Sequence, residues 1–189
     1  MLASFIQSGG DNYLNAVRYE VTEDVQVANL ERAWQQLQQR HPMLRTGFVP
    51  VQHAESSFAM VRYEAGSIET TMNRLYLVED EEADLIQMKT DASKSMLSSL
   101  HHPPWSVILA QTSQINTMSL IIHHALYDAP ALHLMLDELS QLVKGNQLPR
   151  PTTIEPAVSA IMGMALNDKS TEKEFWKTKA SKIVVNKFQ

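Results

Sequence analysis

The sequence predicts an α/β domain, a mixed sheet with helices packed against it, on three observations. Short runs rich in β-branched and aromatic residues recur at 13–21, 44–51, 58–63, 106–111 and 117–123, the composition of half-buried or buried strands. Apolar residues at helical spacing lie between them, as Leu30, Ala33, Trp34 and Leu37, and again as Leu132, Met135, Leu136, Leu139 and Leu142. Proline and glycine punctuate the change from one period to the other.

Residues 13–21 alternate loosely and form the first strand. Asp24 is placed to cap the helix that follows, through about Gln39. Leu30, Ala33, Trp34 and Leu37 lay one apolar stripe along that helix, and Pro42 stops it. Residues 44–51 and 58–63 form a hairpin around a loop at 52–57. The acidic stretch 79–84 is a solvated loop or a helix start, and 83–97 holds a helix of irregular apolar spacing. Pro103-Pro104-Trp105 introduces a strand at 106–111, and a turn at Gln114-Ile115-Asn116 leads into 117–123. Those two strands are close enough in sequence to pair antiparallel. Pro130 sits where a first helical turn tolerates proline, and Gly145 ends that helix. The proline-rich segment of about 146–156 is a connector to helices around 157–166 and 170–181, the second with a capping-box-like start at Ser170.

At 189 residues, with 44% hydrophobic and 20% charged residues, the chain can bury one substantial core. It has no cysteine, which excludes disulfides, thiolate metal sites and cysteine nucleophiles together. No apolar stretch is long enough for a bilayer, and the opening residues lack the pattern of a signal peptide. A cytoplasmic enzyme without a membrane partner is expected. The formal net charge of −5 gives no reason to expect nucleic acid, which calls for a concentrated basic patch.

The most informative segment is His123-His124-Ala125-Leu126-Tyr127-Asp128-Ala129, directly after the apolar run 118–122. A polar histidine pair at the exit of a buried strand is costly unless it has a purpose. A histidine, with a solution pKa of about 6.5, accepts a proton near neutral pH, and with a carboxylate nearby it is equipped as a general base. Adjacent strand residues leave opposite faces, so only one of His123 and His124 can face a given cavity. His101-His102, His123-His124 and His133 do not have the spacing of a metal site, and no carboxylate stands at a ligand interval.

The spacing of the histidine pair and Asp128 resembles the HHxxxDG motif of the chloramphenicol acetyltransferase superfamily. A second segment runs from Leu30-Glu31-x-Ala33-Trp34-x-x-Leu37 into Arg40-His41-Pro42-x-Leu44-Arg45-Thr46-x-Phe48. It resembles the early helix and the RHPxLRTxF segment of condensation domains of nonribosomal peptide synthetases. Glu174-Phe175-Trp176-Lys177 resembles the point where the N-terminal lobe of such a domain hands over to its C-terminal lobe, and residues 1–10 resemble the interior of its opening motif. The resemblance implies that residues 1–189 are an N-terminal lobe with the chloramphenicol acetyltransferase-like arrangement, the C-terminal lobe being absent. The style of the text is similar to that of fungal siderophore synthetases.

What the resemblance implies is amide bond formation between an upstream acyl or peptidyl thioester and a downstream aminoacyl thioester. Both substrates ride on the phosphopantetheine arms of carrier proteins, and no cofactor is bound directly. The implied partners are those carrier proteins, the adjoining synthetase domains and the C-terminal lobe. The resemblance makes His124 the base or positioner and Asp128 a structural carboxylate paired with an arginine, for which Arg45 is the candidate; His123, leaving the opposite face, reads as a structural histidine hydrogen-bonded beneath the site. Ala129 departs from the motif's glycine. If φ must be positive there, alanine adds strain of roughly 1 kcal/mol, and its methyl group would narrow a substrate tunnel. Two alternatives stand beside this reading: a coenzyme A-dependent acyltransferase of the same superfamily, and a non-catalytic lobe that only folds or docks a carrier protein.

Overall fold

The computed structural model describes residues 1–22, 24–52, 57–69, 72–76, 81–111, 116–153, 155–166 and 170–180. The chain divides into two compact units, Met1–Pro149 and Arg150–Gln189. In chain order the first unit holds α1 (Leu2–Gln7), β1 (Leu14–Val21), α2 (Val27–Arg40), β2 (Thr46–Pro50), β3 (Phe58–Arg62), β4 (Met72–Tyr76), α3 (Glu81–Ser98), β5 (Trp105–Gln111), β6 (Asn116–His123) and α4 (Ala129–Val143). The second holds α5 (Glu155–Leu166) and α6 (Ser170–Ala180).

The four-stranded sheet has the order β1-β6-β5-β4, and β2-β3 forms a separate hairpin. β6 runs antiparallel to both β1 and β5, whereas β4 is parallel to β5. The expected mixed sheet is therefore present, and its parallel member is the strand that sequence did not reveal. Met-Asn-Arg-Leu-Tyr in β4 carries no alternation, and α1 also went unread. The loop expected at 52–57 and the turn at 114–116 lie largely outside the described residues.

The two faces of the sheet bury different helices. On one face Leu30, Trp34 and Leu37 of α2 and Met135 and Leu139 of α4 meet Val107, Leu109, Leu120 and Ile122. On the other, Phe5 of α1 and Met96 of α3 meet Ile108 and Ile121. β6 is buried along almost its whole length, which is why it reads as a continuous apolar run and not as an alternating one. Trp34 stacks on Trp105 with centroids 5.5 Å apart, and the Trp105 indole N–H donates to the Leu44 carbonyl at 2.8 Å. Both large rings are thus buried with their polar ends satisfied.

Local chemistry sets the boundaries. α2 ends where His41, extended at φ −98° and ψ 109°, precedes Pro42, since a residue before proline is pushed out of the helical region. A 3-10 turn, Pro42–Arg45, then leads into β2. Asp24 does not cap α2. The helix begins at Val27, behind Gln26, with no side-chain cap. α4 ends as expected: Gly145 has φ +79°, and the Asn146 N–H reaches back to the Gln141 carbonyl at 2.9 Å. Gly47 is required by close approach. A Cβ there would lie 1.8 Å from the His101 carbonyl oxygen, where the hairpin crosses the loop between α3 and β5. Residues 146–153 carry no helix or strand, and α5 begins at Glu155, inside the expected connector.

Candidate active site

β6 delivers both histidines to one end of the sheet and separates them. His123 closes the strand, opposite Leu14 of β1. It is fully buried, edge-on to Phe5 with centroids 4.8 Å apart. His124 opens a 3-10 turn, His124–Leu126, and is half-buried.

Their hydrogen bonds define opposite tautomers. The Ala125 N–H donates to His123 Nδ1 at 3.0 Å, so the His123 proton sits on Nε2, which is buried without a partner. Burial, the largest cause, holds the His123 pKa down to about 4. His123 is neutral at physiological pH, consistent with a structural position beneath the site. His124 is the reverse. Its Nδ1 lies 2.9 Å from the Tyr127 carbonyl oxygen, which can only accept, so Nδ1 carries the proton. The lone pair is left on Nε2, for which no partner is present among the described residues. A neutral imidazole held by one nitrogen and open at the other can take a proton or accept a hydrogen bond from a substrate amine.

Two tyrosines hold this residue, one at its ring and one at its main chain. Tyr127 stacks on it, with centroids 4.9 Å apart and planes 14° from parallel, and its hydroxyl oxygen accepts from the Asn15 amide at 2.6 Å. Tyr13 fixes the backbone instead. Its carbonyl accepts the His124 N–H at 2.8 Å, and it has φ +65°, the only positive value at a non-glycine residue among those described. A tyrosine in the left-handed region is costly, and such residues gather at functional sites.

The expected ion pair between Asp128 and Arg45 is not formed. Asp128 is the N-cap of α4, its carboxylate accepting the Ala131 N–H at 2.9 Å from an exposed position. The Arg45 guanidinium is buried. Its Nε donates to the Gln38 carbonyl at 3.0 Å and its Nη1 to the Tyr63 carbonyl, so carbonyl dipoles replace the carboxylate. Burial, then the Arg62 charge, lowers its pKa. Ala129 is not strained. As the first residue of α4 it has no positive φ, so the backbone conformation there does not require glycine.

The charge lock that sequence placed at Asp128 lies further along α4. Glu138 takes Arg40 Nε at 3.0 and 3.1 Å, Arg40 Nη2 at 2.9 Å and His41 Nε2 at 2.5 Å. Arg40 Nη1 also donates to the Pro149 carbonyl at 2.7 Å. The Arg-His pair before Pro42 thus binds the end of α2 to the middle of α4, the helix that starts at the site. A cavity of about 660 Å³ lies elsewhere, lined by residues such as Met88, Ser95 and Ser106, and none of the five sequence-derived site residues borders it.

With this geometry in view, a profile of the condensation domain matches residues 3–185. The chain belongs to the condensation-domain family. Among curated proteins of this family, nonribosomal peptide synthetase 2 of Gibberella zeae is 55% identical over 188 residues, covering the whole chain but 4% of the relative. The hydroxamate-type ferrichrome siderophore peptide synthetase of Schizosaccharomyces pombe is 31% identical over 144 residues, covering 71% of the chain and 3% of the relative. The chain therefore spans only about 3–4% of the length of these two synthetases. The epimerization domain from the third module of tyrocidine synthetase B has the same fold, with a TM-score of 0.78 at 14% identity, over 98% of this chain and 45% of that one. The condensation-domain α/β fold expected from the motifs is the fold observed. No helix among the described residues is long and apolar enough to cross a membrane.

Proposed function

We propose that this chain is the histidine-bearing N-terminal lobe of a condensation domain, and that the domain joins an acyl or peptidyl thioester to an aminoacyl thioester, both carrier-bound. One observation carries the reading: His124 presents an open Nε2 while its Nδ1–H is tied to the Tyr127 carbonyl. In the reaction the acceptor amine nitrogen attacks the thioester carbonyl. As the tetrahedral intermediate forms, a proton passes from the amine to His124 Nε2, or the amine is held in line by a hydrogen bond to it. Collapse breaks the carbon–sulfur bond, and the departing thiolate of the donor's phosphopantetheine arm takes the proton. His123, neutral and buried, supports the turn, and Asp128 starts the helix behind it.

The covered share of tyrocidine synthetase's domain, 45%, supports a second lobe as the opposite wall of the substrate tunnel. The ferrichrome-synthetase likeness favours siderophore peptide assembly as the setting. Within a complete domain supplied with carrier-bound donor and acceptor, His124→Ala is expected to abolish product formation while the thermal midpoint stays within a few degrees. Normal turnover by a folded His124→Ala protein would remove the assignment. Equal turnover with a free coenzyme A thioester as donor would favour the other acyltransferase class.

A further inference from the structure

We infer that Tyr127 and Asn15 form a positioning pair that holds the His124 ring in its reactive tautomer and orientation; the inference rests on the functional reading just given and adds two residues to it. Tyr127 touches the imidazole in two independent ways. Its main-chain carbonyl takes the Nδ1–H, and its ring lies nearly parallel to the imidazole. The first contact selects the tautomer, because a neutral imidazole with no acceptor at Nδ1 can carry its proton on either nitrogen. The second fixes the plane in which the Nε2 lone pair points.

Tyr127 is itself anchored across 112 residues of sequence. The Asn15 amide donates to its hydroxyl oxygen at 2.6 Å, and Asn15 belongs to β1, paired through Ile122 with the strand that ends in the histidines. Tyr127 packs at the margin of the main core beside Leu126 and Leu132. Tyr19, on the same face of β1, has its phenol pKa raised by burial first and then by the neighbouring Tyr127. The Tyr127 ring is therefore wedged between the sheet and the imidazole. A proton acceptor needs such a wedge, since a displacement of about 1 Å can cost roughly a hundredfold in rate. Tyr13, whose carbonyl holds the His124 N–H, fixes the main chain while the pair fixes the ring.

The test compares Tyr127→Ala, Tyr127→Phe, Asn15→Ala and the Asn15→Ala/Tyr127→Phe double variant in a complete condensation domain with carrier-bound substrates. His124→Ala runs alongside, and imidazole tautomers are read by long-range ¹⁵N–¹H NMR. Tyr127→Ala removes the ring but keeps the main-chain carbonyl, so it is expected to lower kcat roughly 10- to 100-fold with KM within about twofold while the His124 Nδ1–H signature persists. Tyr127→Phe keeps the ring and the carbonyl and is expected to lose only roughly three- to tenfold. Asn15→Ala should match it, and the double variant should be no worse than either single, because all three remove the same bond. Unchanged kcat in Tyr127→Ala, or independent losses that multiply in the double variant, would overturn the pair. If His124→Ala itself turns over normally, the functional reading fails, and the native spectrum still decides whether His124 carries its proton on Nδ1, where the Tyr127 carbonyl holds it; a proton on Nε2 there would overturn the pair.

Discussion

Two regions of this molecule place histidines among polar partners, and they finish the task differently. At the junction of α2 and α4, His41 and Arg40 close on Glu138 with contacts from 2.5 to 3.1 Å. The ion cluster is used up holding two helices together. At the exit of β6, His124 is gripped by its backbone, by Nδ1 and by one ring face, yet Nε2 has no partner among the described residues. His41 spends its Nε2 on Glu138, whereas His124 keeps its Nε2 back.

The strongest way to break this contrast is at Glu138. Glu138→Ala strands a guanidinium that is 15% exposed beside an imidazole, and removing one member of such a pair is expected to cost about 3 kcal/mol. Chemical denaturation measures it. A loss below about 1 kcal/mol would make the junction an ordinary surface contact and erase the comparison.

A smaller effect comes from His123 and depends on pH. Its folded pKa of about 4 lies below the unfolded value of about 6.5. Above pH 6.5 both states are neutral there and the residue adds no pH dependence. As the pH falls below that value the unfolded chain binds a proton that the folded chain refuses, so stability is lost on acidification. By pH 5 the loss is about 2 kcal/mol. Unfolding free energies at pH 7 and pH 5 should differ by about that much more in the native chain than in His123→Gln; equal slopes would mean that His123 titrates normally and is not sealed.

The smallest effect sharpens the correction at Asp128. As an N-cap and nothing more, Asp128→Ala should cost about 1 kcal/mol. Combined with Arg45→Met it should add to within about 0.5 kcal/mol, because the two residues have different partners. A larger coupling measured by denaturation would restore the ion pair that the motif suggested.

Much of the fold was legible because it is written locally. The stripe of Leu30, Ala33, Trp34 and Leu37 needs only the helical period, and all four residues are buried. The β5–β6 pair needs only two apolar runs and a short connection. The histidine pair was legible as a site for a similar reason, since a polar doublet ending a buried strand stands out whatever surrounds it. What local spacing cannot supply is the identity of partners far apart in sequence. Glu138 lies 97 and 98 residues from His41 and Arg40, and Asn15 lies 112 from Tyr127. Asp128 and Arg45 were matched by motif logic, but each found a nearer solution, one in a helix cap and the other in main-chain carbonyls. β4 failed for the same cause, since its pairing with β5 is parallel and crosses α3.

The central claim is that two adjacent histidines are locked in opposite tautomers, one closed and one open. A long-range ¹⁵N–¹H correlation spectrum of the imidazoles at pH 7 reads this directly. The expected spectrum shows His124 protonated at Nδ1 with a bare Nε2, and His123 protonated at Nε2 with a bare Nδ1. A His124 ring found with its proton on Nε2 would contradict the account, because the open nitrogen would have no lone pair to give.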